Sequence, residues 1–303
     1  MNNTTRGSCA VILAAILWSL DGLLRRQLFH LPPSVVVFWE HLFGFILLAP
    51  ILLVRAKTFP RLSRQQWKAI LIVSALSGVA GTVFYTAALG SIHYIPFSVV
   101  VLLQQTQPIF AIVSAHAWLR EPLQKRFLLI AAFALVSAFF VSFPHLHVYA
   151  PADRATALAA LLALGAALSW GVSTTLSKYT LNGTSALHVT GIRFGCTAIL
   201  ALLLTLVFKQ GAVLPTLDLV DAKTLLLISC STGLVALAIY YFGLQRVLAS
   251  RSTILELVWP LSGLFVGSVV LHETLTLTQW VGASGLLIAV VLMSKIQASP
   301  SSC

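Results

Sequence analysis

The residues best able to do chemistry here stand inside long apolar runs, where hydrocarbon supplies no partner. Asp21 lies roughly 18 Å into the first run at 1.5 Å per residue. An ionised carboxylate at that depth costs about 2.5–3.5 kcal/mol or more unless it meets water or a partner. It reads as a cavity acid that binds a cation or carries a proton, or as a helix-internal pair with Arg25, with Arg25 and Arg26 snorkelling outward. Glu40 and His41 are neighbours, and side chains at i and i+1 diverge by about 100°. One therefore faces the cavity while the other packs, and either can titrate in a proton relay; His41 equally suits a bond between helices. Arg193 reads as the one cation deep in a run. It keeps its proton, so it needs an ion pair with Glu40 or Asp21, or else the carboxylate or phosphate of a substrate.

Two further runs carry Gln104-Gln105-Thr106-Gln107-Pro108 and Glu256-Leu257-Val258-Trp259-Pro260. Each proline removes a backbone hydrogen bond and permits a kink. Gln104, Gln107 and Glu256 then face a cavity and escape lipid. Trp18, Tyr85, Trp170, Tyr240, Tyr241 and Trp259 supply an aromatic wall suited to amines or rings, though packing is the commoner role of any one of them. Glu121 and Glu273 stand where the fifth and tenth runs begin and suit helix caps. Gly191-xxx-Gly195 and Gly263-xxx-Gly267 permit close helix packing. His145 and His147 share a loop without further ligands, so no metal site is expected. No phosphate-binding lysine loop, nucleophile elbow or HExxH occurs. Neither a catalytic set nor a cofactor is expected.

The elements that position these groups follow from composition. The chain is 58% hydrophobic and 9% charged, against about 25% charged in soluble domains. Ten apolar runs are long enough to cross a bilayer: 9–29, 34–54, 69–89, 97–118, 126–143, 156–178, 187–208, 223–244, 253–271 and 277–295. They are continuous and not alternating, which excludes a β-barrel. The net charge of +11 is spread between the runs and forms no patch for nucleic acid. With a cytoplasmic N-terminus, thirteen lysines and arginines fall inside and five outside, which puts both termini in the cytoplasm. Cys9, Cys196, Cys230 and Cys303 form neither a disulfide ladder nor a zinc pattern. The first run has no small-residue cleavage site and reads as an uncleaved helix.

An internal repeat organises the chain. Shifted by 152 positions, Trp18 falls on Trp170, His41 on Arg193, Gln104 on Glu256, Pro108 on Pro260, and LREPL on LHETL; around Tyr85 the best shift is 155. Halves of five runs each, 1–150 and 151–303, must cross the membrane in opposite directions. The expected fold is an all-α polytopic membrane protein of ten transmembrane helices in two inverted five-helix repeats.

ILWSLDG with ALSWGVS, the run holding Arg193, and LLQQTQPIFAIVSAHAWLREPL with ILELVWPLSGLFVGSVVLHETL carry a resemblance to the drug/metabolite transporter superfamily, in its EamA-type branch. The resemblance spans nearly the whole chain and speaks poorly to substrate. It implies ten helices, cytoplasmic termini, a central cavity between the halves and alternating access. His41 departs from the pattern, since the first half more typically shows arginine there. The expected function is a secondary transporter that moves small organic metabolites, amino acids or related compounds, across a bacterial inner membrane, with export favoured and proton coupling through Asp21, Glu40 or Glu256. A cationic or nucleotide-like metabolite, in uptake or exchange, is the alternative; a membrane-embedded enzyme or structural subunit is the alternative from another class. The expected partners are a small-molecule substrate and the lipid bilayer, with oligomeric state open. The site is expected between the first and fourth runs of one half and the sixth and ninth of the other.

The charge bias makes a topological prediction. In a cysteine-free background, a single cysteine at Thr58 should resist an impermeant thiol reagent in intact cells, and one at Ala152 should react; the opposite pattern would invert the orientation.

Overall fold

The computed structural model of the chain describes residues 2–90, 100, 103–143, 154–270 and 274–295. Glu273, His145, His147, Cys303 and the start of the fourth run lie outside these residues. Among them the regular structure is helical. Eight helices are long and apolar enough to cross a membrane: α1 (Asn3–Leu28), α2 (Pro33–Val54), α3 (Arg64–Gly90), α5 (Lys125–Ser142), α6 (Arg154–Thr180), α7 (Ala186–Val207), α8 (Leu219–Leu244) and α10 (Leu277–Lys295). The remaining two runs are broken. The fourth is interrupted at Gln105 and Thr106 before α4 (Gln107–Leu119). The ninth, α9, consists of Ala249–Leu255 and Val258–Val270 with Glu256 and Leu257 at the break. These eight spans and the two broken ones make the expected ten.

Helices α3 and α8 start earlier than hydropathy places them, because polar caps and not apolar residues set their first turns. The Ser63 hydroxyl accepts from the Gln66 N–H while Gln66 Oε1 accepts from the Ser63 N–H, closing a capping box. At the equivalent position Asp218 accepts from the Asp221 N–H. The same two turns then tie down loops. Gln66 Nε2 donates to the carbonyl of Asn182 beside Gly183, whose φ of +70° turns the chain from α6 to α7. Asp221 pairs with His30 in the turn between α1 and α2.

The packing is symmetric in the same sense. Helix α2 packs on α7 and α5 on α10; α1 packs on α8 and α9 as α6 packs on α3 and α4, and α4 meets α9. Exchanging the halves maps this set of contacts onto itself. Five spans per half make the exchange an inversion, so the chain is two inverted five-helix repeats. Both α3 and α8 contain a π-helical segment, Ser74–Gly81 and Ser229–Gly233, again at equivalent places. Such bulges cluster at functional sites.

Two expectations need correction. Glu121 does cap a helix, but not its own: its carboxylate accepts from the Ala249 and Ser250 N–H groups and the Ser250 hydroxyl, closing α9 from the loop before α5. Sequence adjacency pointed at α5, whereas the fold brings α9 to the same loop. Of the two small-residue pairs, Gly191 and Gly195 do admit a neighbour, lying against Leu52 and Phe45 of α2, but among the described residues nothing lies within 4 Å of where a Cβ on Gly263 would stand. Helix α1 is also not straight, for Ser19 and Leu20 interrupt it immediately before Asp21.

A close approach elsewhere yields a stability test. A Cβ on Gly282 of α10 would lie 2.7 Å from Val141 N and 2.8 Å from Ser137 O of α5. Backbone cannot yield as a side-chain tip does, so Gly282→Ala should cost about 1–3 kcal/mol, read as a lowered melting temperature of purified protein. Gly263→Ala should be nearly silent.

Candidate functional site

The breaks, the bulges and the intramembrane charges meet in one cavity of about 190 Å³. Trp18, Asp21, Glu40, His41, Tyr85, Gln104, Gln107, Trp170, Arg193, Tyr240, Glu256 and Trp259 all line it, as do Pro108 and Pro260. It is walled by α1, α2 and α3 with α4 from the first half and α6, α7 and α8 with α9 from the second.

Its aromatic walls obey the repeat. Trp18 of α1 meets Tyr240 of α8 with ring centroids 5.1 Å apart and planes at 55°. Trp170 of α6 meets Tyr85 of α3 at 5.2 Å and 58°. Each pair joins one helix from each half, and each is the image of the other. Trp170 Nε1 donates to the Ser77 carbonyl in the π-helical turn of α3, which also accepts from the Thr82 hydroxyl.

At one end of the cavity one guanidinium bridges two carboxylates. Arg25 Nε donates to Asp21 Oδ2 at 2.5 Å, and its NH2 group donates to Glu40 Oε2 at 2.8 Å. Thr232, from the π-helical turn of α8, donates to Asp21 Oδ1 at 2.8 Å, and the Ser229 hydroxyl donates to the Glu40 carbonyl. The pairing of Asp21 with Arg25 is as expected, but Arg25 does not snorkel: it is 4% exposed and joins α1 to α2. Its four-residue spacing fits both outcomes, and only the position of α2 decides between them.

At the other end one charge stands open. Arg193 donates to the Tyr241 hydroxyl at 2.8 Å and to the Ser77 hydroxyl at 2.5 Å. Its Nε has no partner, although the residue is buried. Among the described residues no carboxylate lies within salt-bridge distance of it. The expected ion pair with Glu40 or Asp21 is therefore absent, because Arg25 occupies both acids. Nor is Arg193 the only deep cation; Arg25 is a second. Glu40 and His41 both border the cavity, so the expected division between a cavity-facing and a packing neighbour does not hold; His41 also packs, its Nδ1–H donating to the Val37 carbonyl and its ring lying 4.8 Å from that of Phe194. Under the repeat, Asp21 and Arg25 map onto Ser173 and Ser177, so the two ends share a backbone plan and differ in charge.

Between the ends, Glu256 sits in the break of α9. It accepts from Tyr240 Oη at 2.7 Å and from Gln107 Nε2 at 2.9 Å, while Gln107 Oε1 accepts from Gln104 Nε2 at 3.0 Å. Sequence reasoning passed over Ser77 and Thr232. The 155-residue shift that pairs Tyr85 with Tyr240 also pairs Ser77 with Thr232, and would have found them.

A cavity with aromatic walls and a few convergent polar groups at the interface of two inverted repeats, with broken helices at matching places, is the architecture of a membrane transporter. A sequence profile described as the EamA-like transporter family matches residues 5–143 and 157–295, and the chain belongs to that family. It is 30% identical to the riboflavin transporter ImpX of Fusobacterium nucleatum subsp. nucleatum over 98% of this chain and 100% of that protein. It is 24% identical to the uncharacterized transporter YoaV of Bacillus subtilis over 90% and 91%. A protein of known crystal structure, 16% identical, superposes with a TM-score of 0.75 over 96% of this chain and 98% of that one, which speaks to fold alone.

The ionic end can be tested by neutralisation. Glu40→Gln leaves Arg25 short of one buried partner and should destabilise by up to about 3–5 kcal/mol. Neutralising Arg25, Asp21 and Glu40 together should recover much of that loss, because the mutations share one network. Melting temperatures of the single and triple variants decide it; an additive triple variant would remove the network.

Proposed function

We propose that the chain is a secondary transporter that carries a planar, hydrogen-bonding heteroaromatic metabolite of the riboflavin kind. The two repeats, 1–150 and 151–303, rock about the cavity in a bacterial cytoplasmic membrane with both termini in the cytoplasm. Proton coupling is part of this reading, and the imposed gradients set the direction of net flux.

The observation that carries it is the cavity wall. The pairs Trp18–Tyr240 and Tyr85–Trp170 offer ring faces on two sides, and offset or tilted aromatic contacts contribute about 0.5–1.5 kcal/mol each beyond area burial. The polar groups are few and convergent: the open Arg193 guanidinium, Gln104, Gln107 and Glu256. That is the pattern of a small-molecule pocket whose apolar walls hold a ligand and whose few donors orient it. Arg193 suits the carbonyl-rich edge of a flavin or the anionic group of a nucleotide-like compound. The likeness to a riboflavin transporter over almost the whole chain supports the same choice.

An α-amino acid or a cationic metabolite fits less well. Either needs a free carboxylate for its ammonium group, and Arg25 holds two of the three intramembrane acids.

Purified protein in sealed vesicles should move riboflavin down its gradient. Trp18→Ala and Trp170→Ala should each weaken half-saturation by roughly 2- to 10-fold, the equivalent of one aromatic contact. Arg193→Ala should lower flux more strongly than Arg193→Lys, since lysine keeps the charge without the fork. Absence of riboflavin flux, with flux of some non-aromatic metabolite in the same vesicles, would refute the reading.

A further inference from the structure

We infer that Glu256 is the proton-binding group of the transport cycle, and that Gln107 and Gln104 convert its protonation state into a change in what the cavity offers a substrate. This rests on the transporter reading above and names the group that couples it.

Three acids lie deep within the spans, Asp221 standing in the first turn of α8 with His30, and their partners separate them. Asp21 and Glu40 are each bonded to Arg25. A proton on either breaks one of the two ionic hydrogen bonds that hold the buried Arg25 guanidinium in place. Glu256 has neutral neighbours on every side. Helix α8 presents Tyr240, α4 presents Gln107, and the helix's own preceding turn presents Ser252. Helix α6 brings Thr174 and Trp170 to the cavity and α1 brings Trp18. The charged groups of α1 are Arg6 near its start, Asp21 and Arg25, already engaged with one another, and Arg26 beyond them; those of α6 are Arg154 and Lys178 at its two ends, those of α8 are Asp221 and Lys223 near its start, and that of α9 itself is Arg251 in its first turn. Those of α5 and α10, Lys125, Arg126 and Lys295, stand at helix ends. Glu256 can therefore gain or lose a proton without breaking an ion pair.

Its place suits access from both faces. Glu256 and Gln104 occupy equivalent positions in the two halves, and one side chain, Gln107, joins them. Equivalent residues that nearly touch lie close to the axis relating the halves. In an inverted repeat that axis runs in the membrane plane. The carboxyl is thus about as far from one face as from the other. It also sits in the break of α9, opposite the break before α4.

Hydrogen-bond direction supplies the coupling. With Glu256 ionised, both its oxygens accept, and Gln107 must point its amide N–H at the carboxylate. Gln107 Oε1 then accepts from Gln104, and Gln104 Oε1 is left buried with no donor. A proton on Glu256 reverses the chain. The carboxyl O–H donates to Gln107 Oε1, Gln107 Nε2 donates to Gln104 Oε1, and Tyr240 still donates to the other carboxyl oxygen. Three bonds exist in either state. What changes is the unpaired atom of Gln104, an acceptor when Glu256 is ionised and an amide donor when it is protonated. A substrate edge rich in acceptors binds the protonated state more tightly, and by linkage its binding favours proton uptake. One proton enters on Glu256 from one face and leaves the same oxygen to the other; no other bond is made or broken.

Two measurements decide this. In riboflavin-loaded vesicles, the ratio of flux with and without an imposed pH gradient should exceed unity for the unaltered protein. It should fall to unity in Glu256→Gln, persist in Glu256→Asp, and persist in Asp21→Asn whatever that variant's rate. Flux by the unaltered protein that ignores the gradient, or a gradient response retained by Glu256→Gln, overturns the inference and leaves the riboflavin reading standing. The second measurement needs no substrate. Infrared spectra of the purified full-length protein in lipid, taken across a pH series, should show a protonated-carboxyl band that shifts in heavy water. Glu256→Gln should lack it and Asp21→Asn should keep it. The converse pattern overturns the inference even if the cargo proves to be something other than riboflavin.

Discussion

Hydrocarbon forms no hydrogen bond, and that one constraint orders this structure. Every interruption of helical backbone must find water or protein, so interruptions collect where the halves meet. The break in α9, the break before α4, the interruption of α1 before Asp21 and the π-helical turns of α3 and α8 all border one cavity. Outward positions such as Leu129, Ile199 and Phe265 are exposed and apolar, as lipid demands. The same constraint gathers the deepest ionisable groups: Asp21, Arg25, Glu40, Arg193 and Glu256 all border this cavity.

Two-fold repetition shapes that space and then departs from itself in a useful way. The aromatic pairs, the capped starts of α3 and α8, and the helix contacts repeat between the halves. The charges do not. One end holds a closed triad of Asp21, Arg25 and Glu40, while its counterpart holds an arginine among hydroxyls. Equal backbones permit two mirror-related conformations of similar energy, which alternating access requires. Unequal charges give the cavity a polarity, and a polar ligand an orientation within it.

Much of this was legible in the sequence, and the reason is the repeat. Trp18 with Trp170, Pro108 with Pro260, and Gln104 with Glu256 mark equivalent places, and cavity-facing groups in a membrane must be polar or aromatic where others need not be. Every residue singled out for the site lines the cavity. What escaped was pairing. The spacing of Asp21 and Arg25 shows that they share a helix face, but not that α2 brings Glu40 to the same arginine. Arg193 was given a carboxylate that Arg25 had already taken. Glu121 was assigned to the helix that follows it, although it caps α9 more than a hundred positions away. Local spacing fixes which face a side chain occupies; it does not say which helix arrives there.

The central claim is that this cavity receives a planar aromatic cargo between its two Trp–Tyr pairs, and riboflavin's own emission reports on it. Stacking against tryptophan or tyrosine quenches isoalloxazine fluorescence, so titrating riboflavin with purified protein measures occupancy directly. The account predicts saturable quenching at one riboflavin per chain, weakened in Trp18→Ala and in Trp170→Ala. Riboflavin emission unchanged by excess folded protein would contradict it.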